Sequence, residues 1–490
     1  MNTRAPVARP GAARRFWRLS ALALLTIATL NACRVGPNYR EPPRPAGADA
    51  PLVSLNTAVE TVAPPPDDWW QLYHDPRLDA FIQEAFDANR QLAAAEANFA
   101  AATAVVSAAR AGLYPATNAS FGGLYGRDPT TDEILELQGH APQTLWLYED
   151  IFQVSYEVDL FGKVRRSIEA AHANAQSAEA ARDALKVVVA AETARAFAQV
   201  CTLGEQIAVA RHSHDVVAHE ADITQHRRDA GAASDYDVAR AQALEAQSRS
   251  AIAPLEGQRR AALFQLTAVL GRTPANAPHE LEACVTPPLL SALIPIGDGA
   301  ALLRRRPDVR QAERRRAAAT AQIGVATADL YPSIKLAGLY GGAASTLSDL
   351  TTNLGLAWGL GPVISWNFPN QVGPRARIRQ ARANQAAALA AFDSVVLDAL
   401  KETEQALTLY SSALDYRQSV ADAQLRIHEA FGMSSGQFLA GAVSNLDLLT
   451  TEQSLIAADA AVAASDAALV QDQIAVFKAL GGGWQRPATQ

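Results

Sequence analysis

The sequence predicts a mainly α-helical chain with a small β part, built from one unit used twice and unable to close its sheet alone. Three observations predict it. The first is an internal repeat: Ala230-Gly231-Ala232-Ala233-Ser234-Asp235-Tyr236-Asp237 returns as Ala440-Gly441-Ala442-Val443-Ser444-Asn445-Leu446-Asp447, at an offset of 210. The second is a set of four segments that alternate apolar and polar residues with period two. The third is a pair of Ala-rich stretches, each about 65 residues long and free of proline. Such a repeat has to be read before any motif, because it fixes architecture.

The offset of 210 also links Ile168 to Ile378, Asn174 to Asn384, Asp183 to Asp393 and Gly271 to Gly481. Upstream the register is 217, joining Ala95-Glu96 to Ala312-Glu313 and Leu113-Tyr114-Pro115 to Leu330-Tyr331-Pro332. The first copy therefore carries seven extra residues between its Tyr-Pro pair and the strand containing Tyr156.

Residues 1–32 hold five arginines and no acid, then an apolar run from Leu19 to Leu30. This is an n-region and an h-region of signal-peptide size, too short to span a bilayer. It ends Leu30-Asn31-Ala32-Cys33, which resembles a bacterial lipobox, with Asn31 an unusual residue in that motif. The lipobox implies lipidation of Cys33 as the first mature residue. Arg34 replaces the Asp that retains lipoproteins in the inner membrane, which implies export to the outer membrane. Without the leader, 38 basic residues face 50 acidic ones, a net charge near −12. That excludes a nucleic-acid partner and leaves no basic patch for anionic lipid. Cys201 and Cys284 lie in a helical stretch and a Pro-containing connector, so no disulfide or metal site is legible. No later stretch holds ~18 consecutive apolar residues.

Helices are expected near Asp75–Gly112 and Pro307–Leu330, each leading through a Tyr-Pro pair into two strands. Phe152, Val154, Tyr156, Val158 and Leu160 share one face; Gln153, Ser155, Glu157 and Asp159 share the other. In the second copy Trp358, Leu360, Ile364, Trp366 and Phe368 lie opposite Gly359, Gly361, Ser365 and Asn367. Weaker partners contain Phe121, Gly123 and Tyr125, and then Ile334, Leu336 and Tyr340. Ten-residue alternation with aromatics near the strand ends is the pattern of a transmembrane β-barrel. A soluble half-buried strand alternates identically, but four strands are too few for a soluble sandwich. Four also cannot close in lipid, where free edges cost several kcal/mol per unpaired group. An oligomer is required, of a size the pattern leaves open.

Val164–Arg228 and Arg375–Leu439 are each read as one helix, roughly 100 Å at 1.5 Å per residue. Each ends in a Gly-Ala-x-Ser-x-x-Asp turn, with Gly as left-handed C-cap and Ser as N-cap, and returns as a second helix. These return helices run roughly Tyr236–Leu270, kinked at Pro254, and Leu446–Leu480, which lacks a proline. Dense alanines suit coiled-coil packing. Both helices beside a strand pair join it from the same side, so strands are expected at one end of a rod and hairpin turns at the other.

These residues resemble the TolC-like outer membrane efflux factors, specifically the lipoprotein (NodT) branch of RND-type efflux systems. The resemblance rests on Cys33 followed by Val35-Gly36-Pro37-Asn38-Tyr39, Asp68-Trp69-Trp70, Arg306-Pro307-Asp308 with Ala312-Glu313, both Tyr-Pro entries, both turns and Gly481-Gly482-Gly483-Trp484. It implies a homotrimeric α/β-barrel with four transmembrane β-strands per chain, twelve in the trimer, and a periplasmic α-barrel. It also implies a periplasmic adaptor (membrane fusion) protein and an inner-membrane pump as partners, beside outer membrane lipid. The chain would be a passive conduit for drugs or other small molecules, with no catalytic residues, cofactor or resident metal. The implied division is a lipoprotein signal peptide at 1–32, a lipid-anchored extended segment at 33–74, repeats at 75–271 and 300–481, a connector at 272–299 and a tail at 482–490.

The family narrows at the second hairpin. Carried over by position, Asp447 matches its aspartate ring, Phe438 an aromatic latch and Asp237 the first-repeat acid. Asp237 and Asp447 equally suit helix N-termini anywhere. Three carboxylates near one axis would repel and raise one another's pKa. Val443 stands where some members place an arginine, and Thr450 replaces a second ring acid. Closure is therefore expected to rest on packing of Phe438, Leu446 and Leu449.

His212, His219 and His226 recur every seven residues with Asp215 and Asp222 between them. Seven residues of helix rise separate neighbours by ~10 Å, too far to share one ion, so a solvated stripe is expected. The exported substrate is not written in the chain. Two other functions share parts of the pattern: a type I protein-secretion outlet on the same fold, and a pore-less structural envelope lipoprotein.

Overall fold

The computed structural model describes residues 34–54, 59–60, 64–127, 129–137, 139–290, 292–297, 299–352 and 356–484. The leader, Cys33 and the last six residues lie outside them. In chain order the main elements are α1 (Pro76–Ala88), α2 (Arg90–Ala111), β1 (Ala116–Gly126), α3 (Pro129–Leu137), β2 (Leu145–Glu157), α4 (Lys163–Asp229), α5 (Asp235–Ser250) and α6 (Ile252–Val269). Then come α7 (Gly299–Arg305), α8 (Pro307–Ala328), β3 (Ser333–Ala344), β4 (Leu356–Ser365), α9 (Val372–Leu439) and α10 (Asn445–Ala479).

Several boundaries refine the sequence reading. The helix expected over 75–112 is two helices. Asp75 caps α1 by accepting from Arg77 N at 2.9 Å. Asn89 then ends α1 and starts α2, its Oδ1 accepting from Gln91 N and Leu92 N at 3.0 Å each. A side-chain acceptor that satisfies the next helix's free N–H groups divides the run where periodicity continues. Pro254 falls in the first turn after a break at Ala251, so the expected kink is a full interruption between α5 and α6. Its counterpart α10 runs unbroken for 35 residues. The two long helices measure 67 and 68 residues.

Contacts divide the chain into two compact units, each drawing on both repeats: residues 1–42, 100–177 and 313–391, and residues 43–99, 178–312 and 392–490. The first unit contains the antiparallel sheet, ordered β1-β2-β3-β4. Cross-strand pairs such as Phe152↔Tyr340, Tyr340↔Trp358 and Tyr125↔Trp146 put the predicted apolar residues on one face. Asn118, Glu149, Gln153, Ser155 and Glu157 occupy the other. Val158 and Leu160, expected in the strand, lie beyond its end at Glu157. Asp159 also lies beyond it, and its carboxylate accepts from Val164 N and Arg165 N at 3.0 Å, capping α4. The strand therefore stops where a carboxylate meets a new helix start, and Asp159 does not belong to the polar strand face. The seven extra residues sit in the β1–β2 connection, 127–144 with α3, against 345–355 between β3 and β4.

In the same unit, residues 34–39 are held by the buried Arg166. Its guanidinium donates to Val35 O (3.2 Å), Gly36 O (3.2 Å) and Asn38 Oδ1 (2.8 Å). Gly36 (φ +85°) lies flat on Gly324, where a Cβ would come within 2.5 Å of the Gly324 Cα. Tyr39 Oη donates to Glu313 at 2.7 Å. The Val-Gly-Pro-Asn-Tyr motif and Glu313 are thus one lock.

The second unit holds the larger core, in which the fully buried Trp69 stacks on Phe477 at 4.7 Å. Arg306 Nη1 donates to Ala479 O (2.7 Å), and Nη2 reaches Asp308 (2.7 Å) and Glu402 (2.8 Å). Trp484 donates to Arg305 O at 3.1 Å and lies under Arg310. Asp-Trp-Trp, Arg-Pro-Asp and Gly-Gly-Gly-Trp, scattered over 400 residues, meet here.

Cys201 and Cys284 form a disulfide, which the sequence reading did not find. The connector folds back on α4, where Gly204 makes room: a Cβ there would fall 2.0 Å from Cys284 O. Arg259 Nη2 donates to the carbonyls of Leu281, Glu282 and Cys284 at 2.7–2.9 Å. A spacing of 83 residues carries no signal of such a pairing. The bond suits an oxidising compartment.

Candidate functional site

Two parts of the molecule have chemistry beyond packing: the sheet and the hairpin ends. On the sheet, much of the apolar face is bare among the described residues. Trp358 and Leu360 are 75% and 73% exposed, and Phe121, Tyr340 and Ile364 are similarly bare. Burying one such side chain is worth roughly 1.5–3 kcal/mol, so this face demands an apolar medium. Asp150 is the charged exception on it, and Gly342 N donates to its Oδ1 at 2.9 Å. β1 and β4 each present one edge with no strand beside it among the described residues. An apolar face and open edges together require further strands in a bilayer.

Three helices, Arg90–Ala111, Lys163–Asp229 and Asn445–Ala479, are also long and apolar enough to cross a membrane by length and composition. Their hydropathy comes from alanine interrupted by polar residues, and 78% of the α4 window is packed inside the chain. Alanine at this density serves close helix packing.

The two hairpin turns share one backbone device. Gly231 and Gly441 adopt φ of +77° and +72°, and Ala232 N→Arg227 O (2.7 Å) and Ala442 N→Gln437 O (2.8 Å) close each helix end. Ser234 and Ser444 then cap the return helices. Ser234 Oγ accepts from Asp237 N at 3.2 Å and donates to Asp237 Oδ2 at 2.7 Å; Ser444 and Asp447 repeat both distances. The serine hydroxyl, helped by the backbone N–H, holds each carboxyl below its ordinary value. Both acids are exposed and ionised, engaged as helix caps within their own chain.

The other expected gate residues divide by burial. Phe438 is half-buried beneath the Arg227 guanidinium, 4.9 Å from its ring centroid, which links the first hairpin to the second. Leu449 is buried with Val217 of α4 and Leu244 of α5. Leu446 is half-exposed at the tip. Among the expected residues, then, the fold commits Leu449 and Phe438 to contacts in their own chain and leaves Leu446 bare.

Sequence reasoning missed Arg227, Glu220 and Glu452. Glu452 is 3% exposed and lies among these same apolar residues. Burial, followed by the charge of Glu220, pushes its carboxyl up to about 7. Burial also raises Glu220, against the pull of Arg227 and His219. An acid three residues after Leu449, on the apolar stripe, was the available signal. His212, His219 and His226 are all exposed, and His226 meets Asp222 at 3.5 Å. No group of three metal-binding side chains occurs among the described residues.

A four-stranded sheet with open edges and an exposed apolar face, in a chain that also holds two long helical hairpins, defines a class of membrane channel that several chains complete together. Comparison with known proteins gives the family. The model of the outer membrane efflux protein family matches residues 81–272 and 300–482, and the chain belongs to that family. It is 29% identical to nodulation protein T of Rhizobium leguminosarum bv. viciae, over 96% of this chain and 94% of that one. It is 30% identical to the pyoverdine export outer membrane protein OpmQ of Pseudomonas aeruginosa, over 85% and 87%. The solved outer-membrane channel OprN superposes with a TM-score of 0.83 at 30% identity, covering 93% of this chain and all of that one. The fold is that of trimeric outer membrane channels, so the four strands are one third of a twelve-stranded barrel. The chain is the outer membrane exit duct of a tripartite efflux system, a channel and not an enzyme.

Proposed function

We propose that this duct is lipid-anchored at Cys33, assembles as a homotrimer with a periplasmic adaptor and an inner-membrane pump, and is narrowed at rest by the second hairpin. The observation that carries the reading is the contrast at that hairpin: Leu446 and Asp447 are exposed at the tip while Leu449 and Phe438 are held in place. Exposed tip residues are free to meet the copies from two other chains around one axis. Asp237 closes the first-repeat turn and supports the ring from outside it. The signal peptide, anchored segment, two repeats, connector and tail follow the division 1–32, 33–74, 75–271, 272–299, 300–481 and 482–490. The Arg166 lock on residues 34–39 supports the anchor, since it fixes the chain directly after Cys33.

Purified trimers in planar bilayers test the gate. Leu446→Ala is expected to raise resting conductance, and Val443→Arg to change it by placing three cations beside Asp447. If neither differs from wild type, the constriction lies elsewhere. Metabolic palmitate labelling of wild type and Cys33→Ser tests the anchor, with label expected only on wild type.

A further inference from the structure

The apolar contact that buries Leu449 encloses two carboxyl groups that the channel reading does not use. Val217 of α4, Leu244 of α5 and Leu449 of α10 pack together, with Ile456 beside them. Glu220 follows Val217 by three residues, and Glu452 lies between Leu449 and Ile456. Helical spacing therefore puts both acids on the stripe that joins the helices. Glu452 is 3% exposed. Glu220 is half-buried, and its Oε1 is enclosed without a hydrogen-bond partner.

Two adjacent carboxylates, one buried and one half-buried and neither in an ion pair, cannot both stay ionised at low cost. The neighbouring charges are otherwise committed. On α4, His219 is exposed and Arg227 covers the Phe438 ring, and the pull of both on Glu220 is outweighed by burial. On α5, Asp237 is held by Ser234, Arg240 lies over Tyr236, and Glu245 pairs with Arg249. On α10, Asp447 is held by Ser444, and Asp459 takes His428 and Gln424 from α9. Among the described residues no ion pair reaches Glu220 or Glu452.

We propose that Glu220 and Glu452 form a proton-operated latch, which holds the second hairpin's return helix against the first hairpin while protonated and loosens it when both acids ionise. The sign follows from burial. Both groups titrate higher when packed than when released, so the packed state binds more protons. Packing is tightest below the ordinary glutamate range. It weakens as pH rises toward about 7, where Glu452 loses its proton. Control of conductance by this latch rests on the reading of the hairpin ends as the gate.

The test uses the full-length trimer in detergent, with hydrogen exchange of residues 446–456 and 213–224 expressed as protection factors from pH 5 to 8. Wild-type protection should fall on the order of tenfold or more across that range. Glu452→Gln mimics the protonated acid and should give a flat profile. Glu220→Gln, at the less buried position, is the second variant should the first fail to form heat-resistant trimers. A flat wild-type profile, or a variant with the wild-type slope, overturns the latch. Bilayer conductance over the same pH range forms the second arm. Protection that falls while conductance stays constant supports the latch and overturns the hairpin end as the gate.

Discussion

The two hairpin turns use one backbone and differ in what surrounds it. Each closes a helix on a left-handed glycine and opens the next with a Ser–Asp capping box. At the first turn Arg228 reaches Asp229 and Asp235 on the surface, Arg240 lies over Tyr236, and the return helix breaks after Ser250. At the second, Asn445-Leu446 replaces Asp235-Tyr236, Leu449 is buried, and the return helix is continuous through Ala479. The lesson is that the shared motif sets the fold of both turns, and the divergent residues set what each turn packs against.

The comparison breaks most readily at Leu449. Leu449→Ala removes a buried side chain and should cost about 2–5 kcal/mol, while Leu446→Ala at the exposed tip should change stability by less than about 0.5 kcal/mol. Thermal dissociation of the trimer, followed by gel mobility, should rank them so; equal midpoints would deny the burial contrast. Next come the caps. Ser234→Ala and Ser444→Ala should each cost about 1 kcal/mol, but only the second should raise conductance. Equal conductance effects would make the turns functionally alike. Smaller again is Phe438→Ala or Arg227→Gln. Each removes a cation–π contact of about 0.5–1 kcal/mol that ties one hairpin to the other, and the pair should be non-additive in a double-mutant cycle. The least effect belongs to Arg228→Gln, since an exposed ion pair is screened by water and its contribution should vanish at high salt.

Much of this was legible because it depends on local chemistry. The turns are written in Gly-Ala-x-Ser-x-x-Asp, the break near Pro254 in its missing N–H, and the bilayer face in period-two apolar residues. What escaped depends on contacts distant in sequence or on one polar atom. Asn89 looks like any helical residue until its Oδ1 takes two N–H groups. Asp159 continues the strand alternation and yet caps a helix. Cys201 and Cys284 are joined only because the connector returns over Gly204. Glu452 reads as a surface acid, because the alanine-rich pattern around it obscures its place on the stripe three residues after Leu449. At the gate, the capping role that Asp237 and Asp447 suit as helix N-terminal acids is the one their serines impose within the chain.

The unequal strand connections mark each chain's place in the assembled ring. The longer connection carries a short helix, Pro129–Leu137, with Leu137 bare, whereas the described part of the shorter one has a single turn at Asp349–Thr351. In a threefold ring of such chains the longer and shorter connections alternate, three of each. A partner that recognises the longer connection finds three equivalent footholds, 120° apart.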